Sequence, residues 1–245
     1  MEYPFDLEYC EVQFNARPGA DVPTVVAHRL RKPTIAELVE REKSINLEIV
    51  ETTAREEQIV TDDEAATCKL WDKLIVEVKG YRGAQDWRPL ADEEKAAMRP
   101  GHKTMAVRAM YAGSCAVEDE GVEIGIGADT WTVKQMIGAN EETPDYTVLH
   151  VLREPTESER NQFRRSASKV SFIRGSKRAR TRINQDLTAF VKMYDALVVN
   201  VIGGMVGGKT FAECDRTQFL AAIDPTWKRL IVQTLMNAVE AALLD

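Results

Sequence analysis

The chain carries one pattern twice, and any fold for it must place that pattern twice. Residues 26–37 read VAHRLRKPTIAE and residues 148–159 read VLHVLREPTESE, with seven of twelve aligned positions identical. At nearly the same offset, Trp71-Asp72-x-Leu74-x-Val76-x-Val78-x-Gly80 aligns with Tyr194-Asp195-x-Leu197-x-Val199-x-Val201-x-Gly203, and Pro100, Lys103 and Val107 align with Pro225, Lys228 and Val232. Three colinear matches point to a tandem duplication. The expected fold is α+β and mainly helical, each unit a small β-hairpin followed by three or four helices. The expected boundaries are 1–118 for the first repeat, 119–145 for an acidic, Gly-containing linker with some strand, and 146–245 for the second repeat.

A chain of 245 residues is long enough for two such units, each with a modest core. Hydrophobic residues at 44% and charged residues at 29% fit a soluble globular protein. No apolar run reaches the roughly 20 residues that cross a bilayer, and the N-terminal stretch is acidic where a secretory leader is basic, so a cytoplasmic protein without membrane contact is expected. Cys10, Cys68, Cys115 and Cys214 are widely separated and unmatched between the repeats, which signals neither a disulfide framework nor a zinc module and reads as mostly buried thiols.

Within each repeat the alternation Val26, His28, Leu30 and Val148, His150, Leu152 predicts a strand, with residues 6–14 and 122–126 as hairpin partners. Pro33-Thr34-x-x-Glu37 and Pro155-Thr156-x-x-Glu159 predict helix starts closed by capping boxes. Polar excursions follow at 46–60 and 169–183, irregular or hairpin in form. The three-and-four spacing of Cys68, Trp71, Leu74, Ile75 and Val78 predicts a helix over 62–78, and Phe190, Tyr194, Leu197 and Val201 predict its counterpart, with Gly80 and Gly203 ending them. Asp92 and Asp215 mark short helices. Pro100 and Asp224-Pro225 open the last helix of each repeat.

Gly203-x-x-x-x-Gly208-Lys209-Thr210 matches the phosphate-loop pattern, in which backbone amides and a lysine hold phosphates. Too little chain follows it for a nucleotide-binding sheet, the other repeat has Gly-Tyr-Arg-Gly instead, and the preceding element reads as a helix. A glycine-rich connector is therefore expected. His28 and His150 have only arginines beside them and read as structural, and His102 reads as a surface residue at a helix start. Glu118, Asp119, Glu120 and Glu123 lack calcium-loop spacing and read as a solvated linker. No catalytic residue, cofactor site or metal site is expected.

The strongest electrostatic feature is residues 160–182, with nine Lys or Arg and no acid in a chain of net charge −7. Its candidate partner-binding residues are Arg164, Arg165, Lys169, Arg174, Lys177, Arg178, Arg180 and Arg182. The matching stretch of the first repeat, 41–60, is net acidic. Four readings follow: a protein partner, a solvated loop, nucleic acid, or docking of the acidic excursion on the basic one, which favours head-to-tail self-association.

The order strand, Leu30-Arg31-Lys32-Pro33-Thr34-x-x-Glu37, apolar helix and closing helix resembles the tail assembly chaperones of long-tailed bacteriophages. It recurs as Leu152-Arg153-Glu154-Pro155-Thr156-x-x-Glu159, with Phe219-Leu220-x-x-Ile223-Asp224-Pro225 further on. The chain is longer than the usual family member. The resemblance implies a non-enzymatic assembly factor that binds the tape-measure protein or tail tube subunits in the host cytoplasm. The alternatives are a structural tail or baseplate component and a nucleic-acid-binding protein using residues 160–182.

Overall fold

The computed structural model describes residues 2–17, 24–51, 57–117, 130–138, 145–173 and 180–242, with backbone alone for 46–62 and 168–185. Two compact units divide the chain, and neither is contiguous. Unit 1 is 1–7, 111–167 and 187–245; unit 2 is 8–110 and 168–186.

In unit 2, β2 (Tyr9–Asn15), β3 (Val25–Arg31) and β6 (Ile75–Lys79) form an antiparallel sheet in the order β2-β3-β6. The helices are α1 (Ile35–Ser44), α2 (Glu64–Leu74), α3 (Asp92–Ala97) and α4 (Pro100–Met110). Thr34 accepts from the Glu37 amide at 3.2 Å while the Glu37 carboxylate accepts from the Thr34 amide at 2.9 Å, so α1 begins at a capping box. Leu30, Leu70, Trp71, Leu74 and Val78 are fully buried and form the centre of this unit.

A second sheet in unit 2 joins the two polar excursions. β4 (Asn46–Glu51) and β5 (Glu57–Asp62) form one hairpin, and β10 (Ser168–Ile173) and β11 (Arg180–Gln185) form the other. Antiparallel pairing of β11 with β4 makes a four-stranded sheet in the order β10-β11-β4-β5. The acidic and basic excursions thus meet within one chain, with Arg182 opposite Glu48 in the register.

Unit 1 has the sheet β12-β9-β8-β7, from β7 (Gly113–Val117), β8 (Thr130–Ile137), β9 (Tyr146–Arg153) and β12 (Val198–Ile202). Its helices are α5 (Glu157–Ala167), α6 (Leu187–Leu197), α7 (Arg216–Ala222) and α8 (Pro225–Ala242). β1 (Tyr3–Pro4) pairs in parallel with β13 (Gly204–Met205). Phe190, Tyr194 and Leu197 of α6 pack with Ile231 and Leu235 of α8 and with Val133, Val148 and Leu152 of the sheet.

These elements correct the expected fold class. The protein is α+β but not mainly helical: thirteen strands in four sheets stand beside eight α-helices among the described residues. A tandem duplication of one hairpin-plus-helices unit is not shown, because the compact units are not consecutive halves and both excursion hairpins lie in unit 2. What recurs is local. The order strand, helix, hairpin, helix, strand appears from β3 to β6 and again from β9 to β12.

The helices expected to reach residues 78 and 201 stop at Leu74 and Leu197, and the chain continues as strands β6 and β12. Ile75, Val76 and Val78, and Val198, Val199 and Val201, are β-branched and stiff at χ1, which favours a strand. Each strand completes an edge, β6 beside β3 and β12 beside β9. Gly80 and Gly203, expected to end helices, instead follow strands, at φ +88° and +84°. The partner of β9 is Thr130–Ile137 rather than 122–126, which lies outside the described residues together with Glu118, Asp119, Glu120 and Glu123. None of the four cysteines forms a disulfide, and all are half-buried rather than mostly buried. Among the described residues no helix is long and apolar enough to cross a membrane.

Candidate interaction surface

The buried histidines show how each unit handles polar groups in its core. His28 on β3 accepts the Trp71 indole N–H at Nδ1 over 3.0 Å. An indole can only donate, so the His28 proton sits on Nε2 and is given to the Tyr81 hydroxyl at 2.8 Å. Tyr81 in turn donates to His102 Nδ1 at 3.1 Å, and His102 Nε2 donates to the Ala16 carbonyl at 3.2 Å. Every donor in this chain runs one way, out from the core. Burial first, and electrostatic coupling to His102 second, lower the His28 pKa to about 3.

Unit 1 repeats the inner part of this arrangement. His150 on β9 gives its Nε2 proton to Gln135 Oε1 at 2.8 Å and accepts from the Tyr194 hydroxyl at Nδ1 over 2.7 Å. Burial lowers its pKa to about 3 and pushes the Tyr194 phenol well up. Over the aromatic partner of each histidine, Trp71 and Tyr194, lies a lysine ammonium that closes on an aspartate at 2.6 Å, Lys103 on Asp72 and Lys228 on Asp195. Lys228 keeps its pair although burial lowers its pKa. Both histidines are therefore satisfied core groups, as their sequence context indicated. Tyr81 and Gln135 were missed because neither lies at a matched position; Trp71 and Tyr194 do, and that match was the available signal.

The Gly203–Thr210 loop is built differently from a phosphate cradle. The element before it is strand β12, so the helix expected there is absent and that objection falls. Its conformation supplies a stronger one. Val206 and Lys209 exchange backbone hydrogen bonds at 2.9 and 3.0 Å around Gly207 and Gly208, at φ +58° and +72°, which makes a tight two-residue turn. The following helix starts only at Arg216, so no helix N-terminus faces the loop.

Next to this loop, unit 1 seats its own N-terminal segment. The Tyr3 amide donates to the Gly203 carbonyl and the Phe5 amide to the Met205 carbonyl, both at 2.8 Å, and Asp6 accepts from the Gly207 amide at 2.7 Å. Phe5 is buried edge-on to Phe219, with ring centres 5.7 Å apart, and Tyr3 packs edge-on to Tyr146 at 5.2 Å. A Cβ on Gly204 would collide with the Phe5 ring, so only glycine admits the phenylalanine there.

In unit 2 an open cleft of about 750 Å³ lies beyond Gly80, the residue aligned with Gly203, between the end of β6 and the helices α3 and α4. Its floor includes Val26, Leu90 and Met98, and Tyr81 and His102 reach it from the buried chain of hydrogen bonds. Its rim carries Arg17, Arg82, Arg88 and Arg99 with Glu93 and Glu94. Arg88 pairs with Glu94 at 2.8 Å, and that contact, with the Ala91 amide, lowers the Glu94 pKa to about 2. An apolar floor with a charged rim suits an extended peptide carrying a large apolar side chain. Nothing in the sequence motifs pointed to this cleft, since its lining comes from four separate stretches.

The basic candidates separate. Arg164 and Arg165 lie on α5 in unit 1, where Arg164 pairs with Glu240 at 2.8 Å and Arg165 lines a shallow depression with Glu157 and Asn161. Lys169, Arg180 and Arg182 lie on β10 and β11 in unit 2. Arg174, Lys177 and Arg178 lie outside the described residues.

No family model, curated protein or solved structure matches the chain.

Proposed function

We propose that the chain is a non-enzymatic assembly factor that binds an extended segment of a partner protein in the unit 2 cleft. One observation carries this reading: beyond β6 unit 2 leaves an open cleft with an apolar floor and a charged rim, and beyond β12 unit 1 holds an extended segment of the chain itself, Tyr3–Phe5, through backbone hydrogen bonds and a buried aromatic ring. A partner segment in unit 2 would bury its own aromatic or aliphatic side chain against Val26, Leu90 and Met98 and meet the arginine rim with acidic groups. The resemblance to tail assembly chaperones supplies the most specific form, with the tape-measure protein as partner and the cytoplasm as the place of action.

The test compares the unaltered protein with Ala97→Trp, which fills the cleft from its exposed wall. Both are used to capture proteins from cells expressing the neighbouring genes, with nuclease treatment throughout. Recovery of a defined polypeptide by the unaltered protein and its loss with Ala97→Trp is expected. Equal recovery by both, or recovery of nucleic acid alone, refutes the reading.

A further inference from the structure

The junction between the two hairpins points to a second copy of this chain. Each hairpin has a first and a second strand in chain order: β4 then β5 in the acidic one, β10 then β11 in the basic one. They are joined by the second strand of the basic hairpin, β11, against the first strand of the acidic hairpin, β4. Among the described residues the outer edges of the sheet are the first strand of the basic hairpin, β10, and the second strand of the acidic hairpin, β5. These two edges are the halves of another second-strand-to-first-strand junction, with the hairpins exchanged. Strand direction agrees, since β10, β11, β4 and β5 alternate and a further β10 laid on β5 continues the antiparallel order. One chain cannot close this junction with its own two outer strands while they lie at opposite edges of the sheet. A neighbour can.

We propose that copies of this chain associate head to tail, β5 of one pairing antiparallel with β10 of the next. The surface is separate from the unit 2 cleft and does not depend on its occupant. Three further observations favour a second copy over a foreign strand. First, the internal junction supplies a register. It pairs Arg180 with Val50, Thr181 with Ile49 and Arg182 with Glu48. By position within each hairpin, the exchanged junction places Gln58 opposite Ser171 and Ile59 opposite Val170.

Second, this register preserves the faces. Within the chain, Phe172, Thr181, Ile49 and Ile59 form one cross-strand row, and Ser171, Arg182, Glu48 and Val60 form the next on the opposite face. Ile59 opposite Val170 keeps the apolar positions on one face from copy to copy. A slip of one residue would put them on opposite faces, which is the strongest constraint on strand register. Third, the edges differ in charge. β5 contains Glu57 and Asp62, while β10 contains Lys169 and no acid. The contact therefore favours β5 with β10 over either edge with itself. Since the two surfaces differ, the contact is heterologous, and it closes into a ring or extends as a filament according to the rotation per copy. Open edges of this kind are what sheet proteins otherwise cover or block.

The experiment uses the purified full chain alone, so its result is independent of whether the cleft has a partner. Light scattering after size exclusion is expected to show assemblies heavier than the 27.5 kDa chain, their share rising with concentration. Gln58→Cys and Ser171→Cys are then combined in one chain and oxidised, with the unaltered protein as background for its own four cysteines. Directly opposed antiparallel residues lie about 4.5–5.5 Å apart at Cα, inside the range a disulfide spans. The double variant is expected to give a ladder of covalent multiples that neither single variant gives. A monomer at every concentration overturns the proposal. So does efficient cross-linking of either single variant to itself, which would mean an edge pairing with its own kind. A double variant that misfolds by circular dichroism leaves the scattering result on the unaltered chain to decide.

Discussion

Mild acid should weaken this protein through its two core histidines. In the folded chain His28 and His150 are neutral, with pKa values lowered to about 3 chiefly by burial. Unfolding returns each to its ordinary value near 6.5. Between these values the unfolded chain binds more protons, so stability falls as the pH drops from about 6.5 toward 3. At pH 5 an unfolded histidine is almost fully protonated and a folded one is not, which costs each unit about 2 kcal/mol relative to neutral pH. Between pH 7 and pH 5 Glu37 and Glu159 contribute little. Their pKa values are lowered to about 2, first by the arginines Arg31 and Arg153, and the stability they add is lost only as the pH falls through roughly 4.5 toward 2. Urea titrations at pH 7 and pH 5, read by fluorescence, report both units, since Trp71 and Trp87 lie in unit 2 and Trp131 and Trp227 in unit 1. His150→Gln, which keeps one donor and one acceptor, should remove the share of pH dependence belonging to unit 1. Midpoints unchanged between pH 7 and pH 5, or a His150 ring proton titrating near 6.5 in the folded protein by NMR, would refute the reasoning.

Other substitutions test the polar core and the turns. Asp195→Ala strands the Lys228 ammonium, 3% exposed, and should cost on the order of 3 kcal/mol in chemical denaturation, more than Lys228→Met, which removes the charge altogether. Gly203→Ala should lose about 1–3 kcal/mol, because φ is +84° and the new Cβ would sit 2.6 Å from the Thr147 carbonyl oxygen, whereas Gly101→Ala, with open space around it, should be nearly neutral by thermal melting. Thr156→Ala removes the side-chain half of a capping box and should lower stability by about 1 kcal/mol. Calorimetry with magnesium and ATP should give the same flat trace for the unaltered protein and Lys209→Ala, since the Gly207–Gly208 turn presents no helix N-terminus to phosphate.

Local structure was the legible part. The capping boxes at Thr34 and Thr156, the strands around His28 and His150 and the helix starts at Asp215 and Pro225 depend on side chains close in sequence, and pattern reading is sensitive to such groups. The switch from helix to strand at Ile75 and Val198 was not legible from apolar spacing, because positions 71, 74, 75 and 78 fit a helical face while 75 and 78 also fit a bulged edge strand. The β-branched composition of these runs was the better signal. The charge contrast between the excursions was visible, but their meeting in one sheet is a tertiary fact. The unit 2 cleft was invisible because its lining comes from four separate stretches, and the segment that unit 1 seats beyond Gly203 lies at the far end of the chain.

The interleaving of the two units constrains how the chain can be made and cut. Unit 2 lacks two strands of its second sheet until residue 185 has been synthesised, and in unit 1 the first residues wait for Gly204 and Met205 before they find their strand. Each body closes a long loop, from residue 50 to 180 in unit 2 and from residue 4 to 205 in unit 1, a slow step for a growing polypeptide. No single scission between residues 8 and 186 leaves both bodies whole on separate pieces, so a chain split near residue 118 should yield two incomplete fragments that regain their folds only by recombining.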